Sequence, residues 1–295
     1  MITQPVLWPW LLGLLFLAAG LLVNRRALVA ARGLDGWSEL GQVFVAAPLA
    51  VFAGEHFTAA ASMAPMVPGW LPEHLLWVYF VGSAWIAGAI SLVAIRFVRL
   101  SATLLGVMFL LIVLTMDVPF AIGHAGDRLA WNFVLRETAF AGGVWALAGS
   151  LNLQPGVRSW MVLFGRLSLA IAVIYFGLEE MSHAGLLPGV PDVKATPAWV
   201  PLHALWGYPA GTFLIAAGAA LLLNFRPRVA AASIGMMMTL LTAFLFVPML
   251  VINRDPALMI EGINYVADTL MFGGTALLVA GALPRSVSTP VVAET

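Results

Sequence analysis

The chain is a succession of apolar runs, each about long enough to cross a bilayer, and this limits its fold more than any other feature. A helix needs about 20 apolar residues to span the hydrocarbon core. Runs of that length fall at roughly 5–23, 38–57, 74–95, 101–117, 129–150, 160–181, 203–223, 229–252 and 261–282. The breaks carry turn and charge signals, among them Asn24-Arg25-Arg26, Arg96, Arg99, Gln154-Pro155-Gly156, Arg226-Pro227-Arg228 and Arg254-Asp255-Pro256. Membrane barrels are built from shorter, alternating segments. The expected fold class is therefore all-α: a polytopic transmembrane helix bundle of about nine spans. Charged residues make up 9% of the chain, too few to cover a water-facing surface, since soluble domains carry roughly 25%. The lipid bilayer is the expected surrounding. The net charge of zero gives no basic field for nucleic acid. The absence of cysteine excludes disulfides, thiol relays and thiolate ligands.

Charge placement orients the spans. Secretory signals carry positive charge before the apolar run, whereas here Arg25, Arg26 and Arg32 follow it. Residues 1–37 thus read as an uncleaved N-terminal anchor helix and a basic inner loop, with the N-terminus outside. In that orientation Arg25, Arg26, Arg32, Arg96, Arg99, Arg158, Arg226, Arg228 and Arg285 fall inside, and so does the 283–295 tail. Arg128, Lys194 and Arg254 fall outside, with Glu73, Asp117, Asp127, Asp192 and Asp255. This is the asymmetry of the positive-inside rule.

Most of the chain reads as one unit used twice. Pro68, Trp70, Pro72, His74, Leu76, Trp77, Tyr79 and Gly82 recur in register as Pro197, Trp199, Pro201, His203, Leu205, Trp206, Tyr208 and Gly211. The register continues through Arg99 and Arg228, Gly106 and Gly235, Met108 and Met237, and Val118-Pro119 and Val247-Pro248. After a small insertion, Asn132-Phe133 faces Asn264-Tyr265. Residues 38–150 and 160–282 are thus two copies of a four-helix unit. Four is even, so both copies point the same way, related by an axis along the membrane normal. Pro-x-Trp-x-Pro cannot be a helix interior, because each proline removes a donor and restrains its predecessor. It reads as a bent approach to the membrane, with tryptophans at headgroup depth.

These motifs resemble the DoxX-like membrane proteins. The likeness rests on Gly54-Glu55-His56-Phe57, the Pro-x-Trp-x-Pro-x-His-x-x-Trp-x-Tyr-x-x-Gly segment and the Arg-x-x-Ala-x-x-Leu-Gly-x-Met run from Arg99 to Met108. It covers both copies, the second more loosely through Glu179, Glu180, Met181, Ser182 and His183. The resemblance implies a four-helix unit. It also implies a tie to quinone-linked respiratory or thiosulfate-oxidising complexes, with membrane oxidoreductase subunits as partners in a bacterial plasma membrane. Some relatives use cysteine pairs; this chain has none, which removes thiol chemistry.

Ionisable groups at membrane depth are the candidates for chemistry. Glu55 and His56 end one apolar run and His74 starts the next. In the second copy Glu179, Glu180 and His183 end a run and His203 starts the next. With the resemblance, the expected catalytic set is His74, His203, Glu55, His56, Glu179 and His183, exchanging protons with a quinone-like ring. Trp77, Tyr79, Trp206 and Tyr208 would flank that ring. Two histidines and a glutamate would also suit zinc or non-haem iron. The structural alternative is that these groups solvate helix ends beneath an aromatic belt. Arg136 and Glu137 are adjacent and point about 100° apart on a helix, so they are not expected to pair with each other. Arg136 facing Asp268, its counterpart in the other copy, is the expected pair across the axis. Two other classes of function stay open: a scaffold or receptor holding a partner through outer loops 58–73 and 182–202, and a small-molecule transporter.

Overall fold

The computed structural model describes residues 4–152, 154–190, 194–252 and 256–284. Asp192, Arg254, Asp255, Arg285 and the rest of the 285–295 tail lie outside the described residues. Among the described residues, eight helices are long and apolar enough to cross a membrane: Trp8–Ala30, Leu34–Thr58, His74–Ala94, Val98–Gly123, Pro155–Ser182, His203–Leu222, Pro227–Ile252 and Glu261–Ala282. The expected run at 129–150 forms a helix of comparable length, Arg128–Ser150. Arg136 and Glu137 interrupt its apolar character. The architecture is an all-helical bundle.

In chain order the elements are α1 (Gln4–Ala30), α2 (Leu34–Glu39), α3 (Gly41–Thr58), α4 (Ala60–Met63), α5 (His74–Ala94), α6 (Val98–Ile112), α7 (Val118–Gly123), α8 (Arg128–Ser150), α9 (Pro155–Ser182), α10 (Gly207–Leu222), α11 (Pro227–Leu241), α12 (Val247–Ile252) and α13 (Pro256–Ala282). Two expected boundaries move. The run expected to end at 117 continues to Gly123, because a π-helical turn at Val113–Asp117 carries the chain past Pro119. Proline lacks the N–H of a regular helix and crowds the carbonyl four residues back, and a π turn relaxes that register. The second shift is at His203, which sits in a short 3₁₀ turn, His203–Leu205, while α10 begins at Gly207. In the first copy His74 opens α5 directly.

The two halves share local backbone features at matching register. A second π-helical turn, Thr242–Phe246, precedes Val247-Pro248. The non-glycine residues with left-handed backbone are Glu73, Ile95 and Phe97 in one half and Leu202, Asn224 and Arg226 in the other. The same spacing separates each pair. Such residues are strained by about 1–3 kcal/mol each and persist where the surrounding structure fixes them. Trp77 Nε1 donates to the Pro72 carbonyl at 3.0 Å, and Trp206 Nε1 to the Pro201 carbonyl at 2.7 Å. Each indole thus closes the bend of its own Pro-x-Trp-x-Pro segment.

Packing is symmetrical in the same sense. Within each half the first helix packs on the second (α3 on α5, α9 on α10) and the third on the fourth (α6 on α8, α11 on α13). Between halves, the fourth helix of one packs on the first of the other (α8 on α9, α13 on α3), and α8 meets α13. Helix α1 lies outside, against α3. Its apolar window is 11% buried, against 89% for α13, so α13 is a central strut and α1 a peripheral one.

In lipid, helices associate through close contact rather than through escape from water, and small residues permit that contact. A Cβ on Gly142 would lie 3.0 Å from the Gly165 Cα. One on Gly274 would lie 2.8 Å from the Phe44 carbonyl carbon and 2.9 Å from the Val45 nitrogen. These obstacles are backbone and cannot swing aside. We therefore expect Gly274→Leu to destabilise the protein by about 1–3 kcal/mol, read as a lowered melting temperature in detergent. Gly123→Leu, which meets nothing within 4 Å, should leave it unchanged.

Candidate functional site

Three helices bring polar side chains to one place because their spacing repeats every three or four residues. Helix α3 supplies Phe52, Glu55 and His56 from its last turns; α13 supplies Glu261, Asn264, Tyr265 and Asp268 along one face; α8 supplies Phe133, Arg136 and Glu137. Trp85 of α5 and Phe109 of α6 complete the lining. The cavity measures about 400 Å³. It lies in the half of the bundle that carries the His74 and His203 turns.

Arg136 organises the polar wall. One of its terminal nitrogens donates to Asp268 Oδ2 at 2.9 Å, the expected bridge between the halves. The other donates to Glu137 Oε1 at 3.0 Å. This corrects the expectation that neighbours pointing about 100° apart do not pair. The guanidinium has donors on several edges, so it holds a neighbour sideways while reaching forward to Asp268. It also lies over the rings of Phe133 and Phe140, at 5.2 and 5.9 Å from their centroids, an added attraction for a cation removed from water. Asp117, at the end of the π-helical turn, is within electrostatic range of Arg136 and Glu137.

Glu55 is 7% exposed. With the Asn264 amide turned as the network requires, its nitrogen donates to both Glu55 oxygens, at 2.7 and 3.0 Å. His56 Nδ1 lies 2.8 Å from the Phe52 carbonyl. A carbonyl only accepts, so Nδ1 carries the hydrogen and Nε2 is the acceptor of the neutral ring. Trp85 packs edge-on to His56, centroids 4.6 Å apart, and continues into Phe52 and Phe109.

The remaining sequence candidates lie outside this cavity. His74 is half-buried in the first turn of α5, and His203 and His183 are exposed. Trp77 and Trp206 are tied to their loops, as above. Tyr79 stacks on Phe57 at 6.3 Å, and Tyr208 is exposed. Glu179 pairs with Arg128 at 3.2 Å and lies 3.8 Å from His183 Nδ1. Glu180 is buried and accepts from the Gly189 amide at 3.0 Å. Among the described residues, no three His, Asp or Glu side chains converge as metal ligands.

At the matching positions the second half carries large buried side chains. Phe52, Trp85 and Phe109 correspond there to Phe176, Leu214 and Met238, each buried. The loop after α9 folds inward, with Leu187 packed against Phe246, Leu250 and Tyr265. It reaches the rim of the acidic cavity, where Lys194 Nζ lies 2.7 Å from Glu261 Oε2 and 5.6 Å from the Tyr265 ring centroid. The charge cluster of the cavity includes Glu137 and Glu261, and its walls include Trp85 and Phe109; none was singled out from the sequence as a site residue. The available signal was the spacing of Glu261, Asn264 and Asp268 on one helix face.

Fold and site thus define a polytopic helical membrane protein with an acidic, aromatic-walled cavity lined by four helices of the first half and by α13 of the second. Comparison of the chain with protein-family models, curated proteins and solved structures found no match in any of the three.

Breaking a buried pair by removing one partner costs about 3–5 kcal/mol. Arg136→Ala should destabilise the protein by that order in a detergent melt or denaturant titration. Adding Asp268→Ala should recover part of the loss, with a coupling of about 1–3 kcal/mol. Purely additive losses would show that the two residues act separately.

Proposed function

We propose that the chain is a DoxX-like protein of a bacterial plasma membrane that serves a quinone-linked oxidoreductase system, with the cavity beside Glu55 and His56 as the seat of the ring. The observation carrying this reading is that Glu55 and His56 both line one aromatic-walled cavity. At about 400 Å³, it lies within the size range of small-molecule sites. Trp85, Phe109 and Tyr265 offer flat walls. Glu55, fixed by Asn264, and His56, through Nε2, are the groups placed to take or return protons. A quinone, when bound, supplies two-electron chemistry matched by two protons. The electrons require membrane oxidoreductase subunits as partners.

In this reading the N-terminus is outside, and the cavity opens toward the outer face beneath the Lys194 loop. The carboxyl side chains of Glu55, Glu137, Glu261 and Asp268 outnumber the guanidinium of Arg136 in the lining. That excess favours a second reading: a transporter whose cavity takes an organic cation between carboxylates and aromatic faces.

Titration of purified protein with a short-chain ubiquinone analogue, followed by calorimetry, separates the two readings. Saturable binding is expected, weakened at least about tenfold, or 1.4 kcal/mol, by Glu55→Gln and by the cavity-filling Phe109→Trp. The lipid-facing Phe244→Ala should bind as the wild type does. No saturable binding of the analogue, with tetramethylammonium bound instead, would replace the quinone reading by the transporter.

Orientation has its own test, since the chain has no native cysteine. Gly69, Gly185 and Gly156 all have open space at their Cβ positions. In intact cells a membrane-impermeant maleimide should label Gly69→Cys and Gly185→Cys but not Gly156→Cys. The reverse pattern would invert the topology, and labels on both faces for the first two would dismiss the parallel duplication.

A further inference from the structure

The opposite end of the bundle holds a second cavity, of about 750 Å³, away from the acidic one. Arg32, from the connection between α1 and α2, lines it with Asp35 of α2. Asn224 and Arg226, in the turn between α10 and α11, and Arg228, in the first turn of α11, line the other side. Its charge is the inverse of the first: three guanidinium groups against one carboxylate. Asp35 is engaged by Arg228. Among the described residues, neither Arg32 nor Arg226 forms an ion pair. The positive end of the α11 dipole faces the same space, and helix N-termini favour anions.

The matching turn of the first half has the same left-handed residues and the same number of arginines, differently placed. Ile95, Arg96 and Phe97 stand where the second half has Asn224, Phe225 and Arg226, and Arg99 matches Arg228. The second half thus carries an arginine at the left-handed position of the turn, where it lines a cavity with Arg32 and Arg228. Asn224 is itself held, its Oδ1 accepting from Arg166 of α9. The same turn presents Leu223 and Phe225 outward, 79% and 66% exposed. Apolar side chains flanking a cationic hollow at a helix end match a ligand with a charged head and an acyl body.

We propose that this cavity binds the phosphate head group of an anionic phospholipid, with Arg32, Arg226 and Arg228 supplying the charge and Leu223 and Phe225 lying along the chains. The purified full chain can be tested by native mass spectrometry and thermal melting. The probes are phosphatidylglycerol, phosphatidylcholine and inorganic phosphate. Phosphatidylglycerol should bind in preference to phosphatidylcholine and raise the melting temperature. Arg32→Ala and Arg226→Ala, both at exposed positions, should each reduce the preference about fivefold, and together abolish it. Glu55→Gln, at the other end of the bundle, should leave it intact. Equal binding of the two lipids would overturn the proposal, as would a preference that survives the double substitution. Inorganic phosphate reproducing the full melting shift and displacing phosphatidylglycerol would overturn the lipid assignment in favour of a soluble phosphate ester.

Discussion

A guanidinium inside an apolar bundle must be met by carboxylates, because an unpaired charge there is far costlier than any packing defect. Arg136 is met by Asp268 from the other half and by Glu137 from its own helix. That single requirement sets α8 and α13 side by side and parallel, with the matching positions of the two copies face to face. The rest of the centre follows. Phe140 and Phe272 touch at 6.3 Å on the same contact line, and Phe109 and Phe176 extend the aromatic stack on either side. Small residues then let α9 and α3 close against the outer flanks of this pair.

With the axis fixed, the two halves are free to differ in side chains while keeping one backbone. The left-handed residues and the π-helical turns recur at matching positions. These are the features hardest to change, since each is a local solution to a proline or a tight helix connection. The acidic cavity lies where the side chains of the two halves depart from one another. Large buried side chains fill the second half at Phe176, Leu214 and Met238; the first half keeps a cavity edged by Glu55 and His56.

The spans, the parallel arrangement and the Arg136–Asp268 bridge were all legible in the sequence. Each depends on periodicity or on a rule that lipid enforces strictly: apolar length, paired charge, proline at helix ends. The location of the site was less legible. His74 and His203 recur at one motif position, and recurrence alone made them look functional. Recurrence also marks residues that shape a loop, as Trp77 and Trp206 do by bonding Pro72 and Pro201. Trp85 and Phe109 carry no local signal, because an aromatic side chain facing a cavity and one facing lipid read alike. Glu137 was misjudged because helix geometry alone ignores the reach of an arginine side chain.

The loop between α9 and α10 joins these two levels. In its own half it closes the bundle through Leu187 and through the Gly189 amide on Glu180. Still within its own half it reaches Glu261 and Tyr265 of α13 by way of Lys194. Both of those residues line the cavity. The second half therefore contributes one wall and the rim loop of a cavity whose other walls come from the first half. Lys194 is half-exposed, and an ion pair in such a position holds by roughly 0–1 kcal/mol. A contact of that strength adds little to the Leu187 packing and the Gly189–Glu180 hydrogen bond that already hold the loop. The Arg136–Asp268 bridge between the halves belongs to the same lining and is a separate, more deeply buried contact.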